Sequence, residues 1–130
     1  MIYSRSNTAR ALDTIYGAIV KITELWKVCC VVIKGQRATF VSKSLLKAAF
    51  VAFRKAGSRH VVIVRASSTT FRAVGRDTCY TVALTATGVT CECQDYKNQV
   101  EQFKHGGVCK HGYAALSLLG HDSLASYLAR

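Results

Sequence analysis

The chain has 130 residues, half of them hydrophobic, and 18 Lys and Arg residues against 7 Asp and Glu residues give a net charge of +11. This composition excludes a disordered chain, and no apolar run approaches the roughly 20 residues that a membrane span requires. We therefore expect a single domain over residues 1–130, with a modest core and no membrane association.

The basic residues are concentrated in one part of the chain. Eleven of them and no acidic residue lie between Glu24 and Asp77. Such an excess favours a polyanionic partner, nucleic acid above all. The alternative is a solvated basic surface that binds no polyanion. The N-terminus lacks the apolar run of a signal peptide, and the adjacent Cys29 and Cys30 favour a reducing, intracellular setting, cytoplasmic or nuclear.

The first predicted element is a long amphipathic helix over about residues 8–33. Its apolar residues recur at alternating steps of three and four, which predicts one stripe made of Leu12, Ile15, Ile19, Ile22, Trp26 and Cys29. The stripe is too short for a sustained coiled coil, so we expect it to pack against the rest of the domain. The β-branched run Val31–Ile33 weakens the last turns, and a short strand is the alternative there.

A second helix is predicted over about residues 41–56, with Ser42 as its N-terminal cap. Three basic residues of this helix fall within about 40° of one another, which gives a basic edge beside the apolar face. Together with the next residue they are the candidate nucleic-acid contacts of this helix: Lys43, Lys47, Arg54 and Lys55. A solvated helix face is the alternative.

Strands are predicted over residues 61–64, 69–74 and 79–84, and a shorter strand carries Cys91 and Cys93. The run Val61–Val64 is apolar throughout, which indicates a central strand or one covered on both faces. Cys79 is expected to be a core thiol, and Cys29 and Cys30 an inert buried pair.

Two short pairs of residues near the C-terminus have the chemistry of a metal site. Cys91 and Cys93 are separated by one residue, as are Cys109 and His111. In a strand, residues i and i+2 share a face, so the first two thiolates can reach one ion. The second pair fits if Cys109 lies before a helix and His111 lies in its first turn. Three thiolates and an imidazole are a tetrahedral Zn²⁺ donor set, and His105 and His121 are weaker candidates because the set is already complete.

Helical steps also appear on both sides of the second pair. Tyr96, Val100 and Phe103 predict a short helix that covers the metal site. A further helix is expected from near Cys109 to Gly120, followed by a final short one that Asp122 caps.

These residues resemble the SWIM zinc finger family, in which a Cys-x-Cys pair is followed by a Cys-x-His pair in a ββα arrangement. The run from Cys91 to Tyr96 and the triplet Cys109-Lys110-His111 carry the resemblance, which spans about residues 69–119. The predicted fold is therefore α+β. Two N-terminal helices pack on a small antiparallel sheet that leads into a ββα zinc finger and a C-terminal helix. Residues 1–66 form the helical N-terminal part and first strand.

The resemblance implies DNA or protein binding, and the charge favours the first. We expect a zinc-stabilised protein that binds nucleic acid, DNA rather than RNA, through basic residues on the second helix and around the finger, the latter being Lys97, Lys104 and Lys110. No enzyme is expected, because four protein ligands leave a zinc no open position and no cluster of carboxylates is apparent. The alternative is a protein–protein interaction adaptor, or a subunit of a DNA-processing or regulatory complex; monomer and dimer both stay open.

Overall fold

The computed structural model describes residues 1–103 and 107–130, which form two compact units, Met1–Phe53 and Arg54–Arg130. The predictions made for Lys104 and His105 therefore lie outside the described residues. Each unit is described by itself below. Within the two described ranges, no helix combines the length and the hydropathy that crossing a bilayer requires.

The N-terminal unit consists of a short helix, a 3-10 turn, a three-stranded antiparallel sheet and the first part of a long helix. Its elements are α1 (Arg5–Ala11), the 3-10 turn (Tyr16–Ala18), β1 (Ile19–Glu24), β2 (Val28–Ile33), β3 (Thr39–Ser42) and α2 (Lys43–Ser58). The strands lie in the order β1-β2-β3. One face of this sheet is buried, through Cys29, Val31 and Val41, and it packs with Leu46 of α2.

The prediction of a helix over residues 8–33 is wrong. Ser4 caps α1, and the helix ends at Ala11, followed by Asp13 with a φ of 53°. Most of the remaining segment forms the β1–β2 hairpin. The physical reason is that β-branched residues favour extended backbone, and they dominate this segment. The spacing of the apolar stripe was coincidental, since Ile19 is buried whereas Trp26 is almost fully exposed.

The prediction for α2 is confirmed in its main features. The Ser42 hydroxyl accepts a hydrogen bond from the Leu45 amide at 3.1 Å, as an N-terminal cap does. In the N-terminal unit, α1 is tied to α2 because the buried side-chain amide of Asn7 donates to the Leu46 carbonyl at 2.8 Å. Cys29 is buried as expected, while Cys30 lies on the opposite, partly exposed face of β2.

The C-terminal unit combines the end of α2 with a four-stranded antiparallel sheet and three helices. These are β4 (Val62–Arg65), β5 (Thr70–Val74), β6 (Cys79–Leu84), β7 (Val89–Cys91), α3 (Gln94–Phe103), α4 (Lys110–Leu118) and α5 (Leu124–Leu128). The strand order follows the sequence. The inner face of the sheet presents Phe71 and Val82, both fully buried, and packs with Ala115 and Leu116 of α4.

Two predictions about the burial of strand residues in this unit are wrong. The apolar run Val61–Val64 does not form a central strand: β4 is the edge of the sheet, and Val62 is 61% exposed. Cys79 is not a core thiol, because it lies on the outer face of β6 and is exposed. An edge strand needs only one covered face, so an apolar run alone does not identify a central strand.

The last two helices follow the prediction closely. Gly120, with a φ of 85°, ends α4, and the next amide, that of His121, donates back to the Leu116 carbonyl at 2.9 Å. This is the bonding of a glycine-terminated helix. Ser123 rather than Asp122 caps α5, whose buried residue is Tyr127. The α+β class is thus confirmed, with five helices and two antiparallel sheets among the described residues.

Candidate metal centre

The ends of three elements bring the two predicted ligand pairs together. Cys91 is the last residue of β7, and Cys93 immediately precedes α3. Cys109 is the N-terminal cap of α4, and His111 lies in the first turn of that helix. We call these four residues the Cys3His cluster. Its Cys-x-His half has the arrangement predicted from sequence, whereas the strand ends before Cys93.

The distances within the Cys3His cluster fit one tetrahedral ion. The four ligand atoms, three sulfurs and one ring nitrogen, all lie within 4.8 Å of one another. The Nδ1 atom of His111 is 3.8 Å from the sulfurs of both Cys91 and Cys109. A tetrahedral Zn²⁺ site holds its sulfurs about 3.8 Å apart and its sulfur and nitrogen about 3.5 Å apart. Contractions of at most about 1.3 Å would therefore complete the coordination sphere.

The thiol groups also accept hydrogen bonds from helix amides. The Cys93 sulfur accepts from the Tyr96 amide at 3.4 Å, and the Cys109 sulfur accepts from the Gly112 amide at 3.4 Å. Amide donors and the positive end of a helix both stabilise the thiolate form of a cysteine. The thiolate is the form that binds a metal.

The electrostatics of the Cys3His cluster favour a cation. Hydrogen bonds from Cys109, the larger cause, and from Cys91 hold the pKa of Cys93 well below its ordinary value. Hydrogen bonding to Cys91 and Cys93 raises the pKa of His111 to about 9. Hydrogen bonds with Cys91 and Cys93 raise the pKa of Cys109, so protons are shared within the cluster. A divalent cation would replace these protons, because metal ligands must be deprotonated.

A polar network joins both ligand pairs to the end of α2. Arg54 binds Asp95 through two hydrogen bonds, of 3.0 and 2.8 Å, and its side chain is only 11% exposed. Asp95 also accepts from the Gln99 side-chain amide at 3.0 Å. That same amide donates to the Val108 carbonyl at 3.2 Å. Because Asp95 follows Cys93 by two residues and Val108 precedes Cys109, the network fixes the segments on which the ligands lie.

Two glycines let the backbone approach the site closely. A Cβ atom at Gly107 would overlap Oε1 of Gln99, and one at Gly112 would lie 2.9 Å from Cγ1 of Val108. A larger side chain at either position would therefore force its neighbours to shift where the chain enters α4. The ring of Tyr80 packs against that of His111, with ring centroids 5.2 Å apart and an angle of 50° between the ring planes. The imidazole is thus held by packing as well as by its sulfur neighbours.

In the N-terminal unit, the two basic residues proposed to contact nucleic acid have different surroundings. Lys43 forms an ion pair of 2.9 Å with Glu24, so its charge is compensated. Lys47 is exposed and forms no ion pair with a described residue.

In the C-terminal unit, Lys97 and Lys110 are exposed, and the Lys55 ammonium lies 5.6 Å above the Tyr113 ring. Arg54 forms an ion pair with Asp95, which compensates its charge. Lys104 lies outside the described residues. Among the predicted contacts of this unit, the two exposed residues, Lys97 and Lys110, are also close in sequence to the Cys3His cluster.

The burial of the Gln99 side chain, which is 1% exposed, was not predicted from the sequence. The helical steps of Tyr96, Val100 and Phe103 predicted α3 correctly, but Val100 is 37% exposed. The available signal was the spacing of Asp95 and Gln99, four residues apart on one helix, which allows a side-chain hydrogen bond.

The chain matches no protein-family model, and comparisons with curated proteins and with solved structures also found no match. What supports a metal site is the geometry of the four clustered side chains. They can hold one metal ion, and their donor atoms suit zinc.

Proposed function

We propose that this chain is a zinc-stabilised nucleic-acid-binding protein with a finger of the SWIM type, and that DNA is preferred to RNA. The observation that carries the proposal is the convergence of Cys91, Cys93, Cys109 and His111 from three elements, within 4.8 Å. Residues this far apart in sequence meet at ligand distance only because the fold of the C-terminal unit places them there.

The proposed role of the metal is structural. Three sulfurs and the Nδ1 atom of His111 would fill a tetrahedral Zn²⁺ sphere and leave no position for water, so we propose no catalytic activity. A bound zinc would contribute on the order of 10–16 kcal/mol to folding, as in zinc-finger peptides. Tyr80, Gln99 and the helix amides would keep the ligands in place.

The charge distribution supports a polyanionic partner. The chain carries a net charge of +11, and only two ion pairs occur among the described residues, Lys43 with Glu24 and Arg54 with Asp95. Lys97 lies four residues after Cys93, and Lys110 lies between Cys109 and His111. Phosphate groups can compensate such exposed ammonium groups without any rearrangement of the finger.

The metal part of the proposal is tested by native mass spectrometry and by chelation. We expect one zinc per chain, and removal of the metal should lower the melting temperature of the protein. The Cys91→Ser variant should lose the metal while keeping the same charge on every basic residue. A protein that carries no metal, or whose melting curve is the same after chelation, would overturn this part.

The nucleic-acid part is tested by binding titrations at two or more salt concentrations. For duplex DNA, the logarithm of the affinity should fall with the logarithm of salt concentration by about 0.9 per phosphate contact. The Lys97→Gln and Lys110→Gln variants should each reduce this slope by about one contact. Lys43→Gln is the matched control, because it removes the same charge from a residue that is already paired with Glu24. A flat salt dependence would contradict the proposal.

The second candidate function is a protein-interaction adaptor or a subunit of a larger DNA-processing or regulatory complex. The observation that favours it is the exposed apolar edge strand β4, where Val62 and Val64 are more than half exposed. Unpaired edges of this kind accept a strand from another chain. A complex with a purified partner that survives nuclease treatment and high salt, and that Val64→Lys abolishes, would favour this candidate.

A further inference from the structure

The sheet of the N-terminal unit has one face that packs on nothing in that unit. We call it the outer sheet face, and it is defined by Lys21, Thr23, Leu25, Val28, Cys30, Val32, Phe40 and Ser42. The register makes these residues neighbours: Cys30 lies opposite both Thr23 and Phe40, and Val32 lies opposite Lys21. The other face is the buried one, with Cys29, Val31 and Val41. Since side chains alternate along a strand, the two faces are distinct surfaces.

Two aromatic rings are exposed on or beside the outer sheet face, one on its edge strand β3 and one in the β1–β2 turn. Phe40 is 68% exposed, and Trp26, in the β1–β2 turn, is 87% exposed. Neither ring forms a ring or cation contact with any described residue, whereas Phe53 of the same unit lies under Arg10. Exposed apolar surface that polar residues surround is typical of interaction sites.

The surroundings of the two rings are basic. Lys21 lies on the outer sheet face, Lys27 lies in the turn beside Trp26, and Lys34 and Arg37 lie in the connection from β2 to β3. All four are exposed, and none forms an ion pair with a described residue. The whole unit has eight basic and two acidic residues, and Glu24, one of the two, is already paired. The charge of this surface is therefore complementary to a polyanion.

From these observations we propose that the outer sheet face binds single-stranded nucleic acid. Unpaired bases stack on Phe40 and Trp26, and the phosphates of the strand lie against Lys21, Lys27, Lys34 and Arg37. A duplex satisfies the charges but not the rings, because its base faces are covered by their neighbours in the stack. Sheets with exposed aromatic residues, and basic grooves with aromatic platforms, bind single strands in this way. The inference deepens the proposed nucleic-acid-binding function and rests on it.

The test is the anisotropy of a labelled oligothymidylate and of a labelled duplex, titrated with the full zinc-loaded chain. The Phe40→Ala and Phe40→Leu variants should each weaken single-strand binding by about 5- to 150-fold, the loss expected for one base–aromatic stack. Phe40→Tyr keeps a ring and should restore binding. Ile15→Ala is the control, because Ile15 is as exposed as Phe40 but precedes the 3-10 turn and lies off the sheet. An unchanged zinc content and melting temperature would show that each variant is folded.

Trp26 supplies a second readout, because it is the only tryptophan in the chain. Its fluorescence should be quenched when oligothymidylate binds, and much less when the duplex or poly-glutamate binds. Quenching by poly-glutamate to the same extent would overturn the proposal, since the surface would then be a general polyanion site.

Two further outcomes separate this inference from the proposed function. If the chain binds nucleic acid with a steep salt dependence but Phe40→Ala binds single strands as the parent does, the proposed function stands and the outer sheet face is not the site. If neither single strands nor duplexes bind at low salt, both proposals are wrong.

Discussion

Replacement of Gln99 by Leu tests the network that joins the two ligand pairs. The substitution keeps most of the side-chain volume but removes the donors to Asp95 and to the Val108 carbonyl. Loss of the bond to a carboxylate costs about 1.5–3 kcal/mol, and loss of the neutral bond about 0.5–1.5 kcal/mol. Because Gln99 is buried, water does not replace either bond. We therefore expect the C-terminal unit to lose about 2–4 kcal/mol of stability.

The assay is thermal and urea-induced unfolding of the zinc-loaded protein, with the far-ultraviolet circular dichroism signal as readout. A loss of this size should lower the melting temperature by at least about 8 °C. Zinc affinity, measured by competition with a chromophoric chelator, should fall about 10- to 100-fold, as expected when the groups that orient metal ligands are removed.

Gln94→Leu is the matched control on the same helix. The Gln94 side chain donates to Asn98 on an exposed surface, so its loss should cost no more than about 0.5 kcal/mol. If Gln99→Leu and Gln94→Leu have the same stability and the same zinc affinity, the network does not support the Cys3His cluster and the reasoning is refuted.

Three further predictions concern the metal ligands and the close packing beside them. Cys91→Ser should abolish stoichiometric zinc binding. Cys79→Ser should leave the zinc content unchanged, because Cys79 is exposed on the outer face of β6. Equal zinc contents of the two variants by atomic absorption would contradict this prediction. Gly112→Ala should lower the free energy of unfolding by about 1–2 kcal/mol in urea titrations, since the new methyl group would crowd Val89. Gly88→Ala is the control and should change stability little, because the space around Gly88 is open. Zinc affinity should fall as the pH is lowered from about 8 to about 6, because protons compete with zinc for the thiolates and the imidazole. A pH-independent affinity in chelator competition would be inconsistent with thiolate and imidazole ligation.

The C-terminal half of the chain was predictable because short-range signals decide its structure. Cys79–Leu84 is a strand with the predicted bounds, and Gly120 ends α4 as a glycine terminator does. The metal-ligand spacing is also a local pattern, so the Cys3His cluster was identified before its geometry was known. Local chemistry of this kind needs no knowledge of what packs against it.

The N-terminal half was not predictable from periodicity alone. A stripe with a period of 3.5 predicted one helix over about residues 8–33, yet β-branched residues and the pairing of β1 with β2 decide the structure of most of that segment. The exposure of Val62 and the burial of Gln99 depend on which elements cover them, which is a property of the tertiary structure. The supporting network around the cluster was missed for the same reason, since Arg54 and Asp95 are 41 residues apart.

The sulfur atoms of Cys93 and Cys109 each accept a hydrogen bond from an amide in the first turn of a helix. Each sulfur would therefore both bind the metal ion and cap the start of a helix. Oxidation of either thiol to a sulfinate would therefore remove a donor from the ion and disturb the start of α3 or α4 in the same chemical event. Redox damage at a single sulfur would thus spread into the secondary structure rather than remain a local loss of metal.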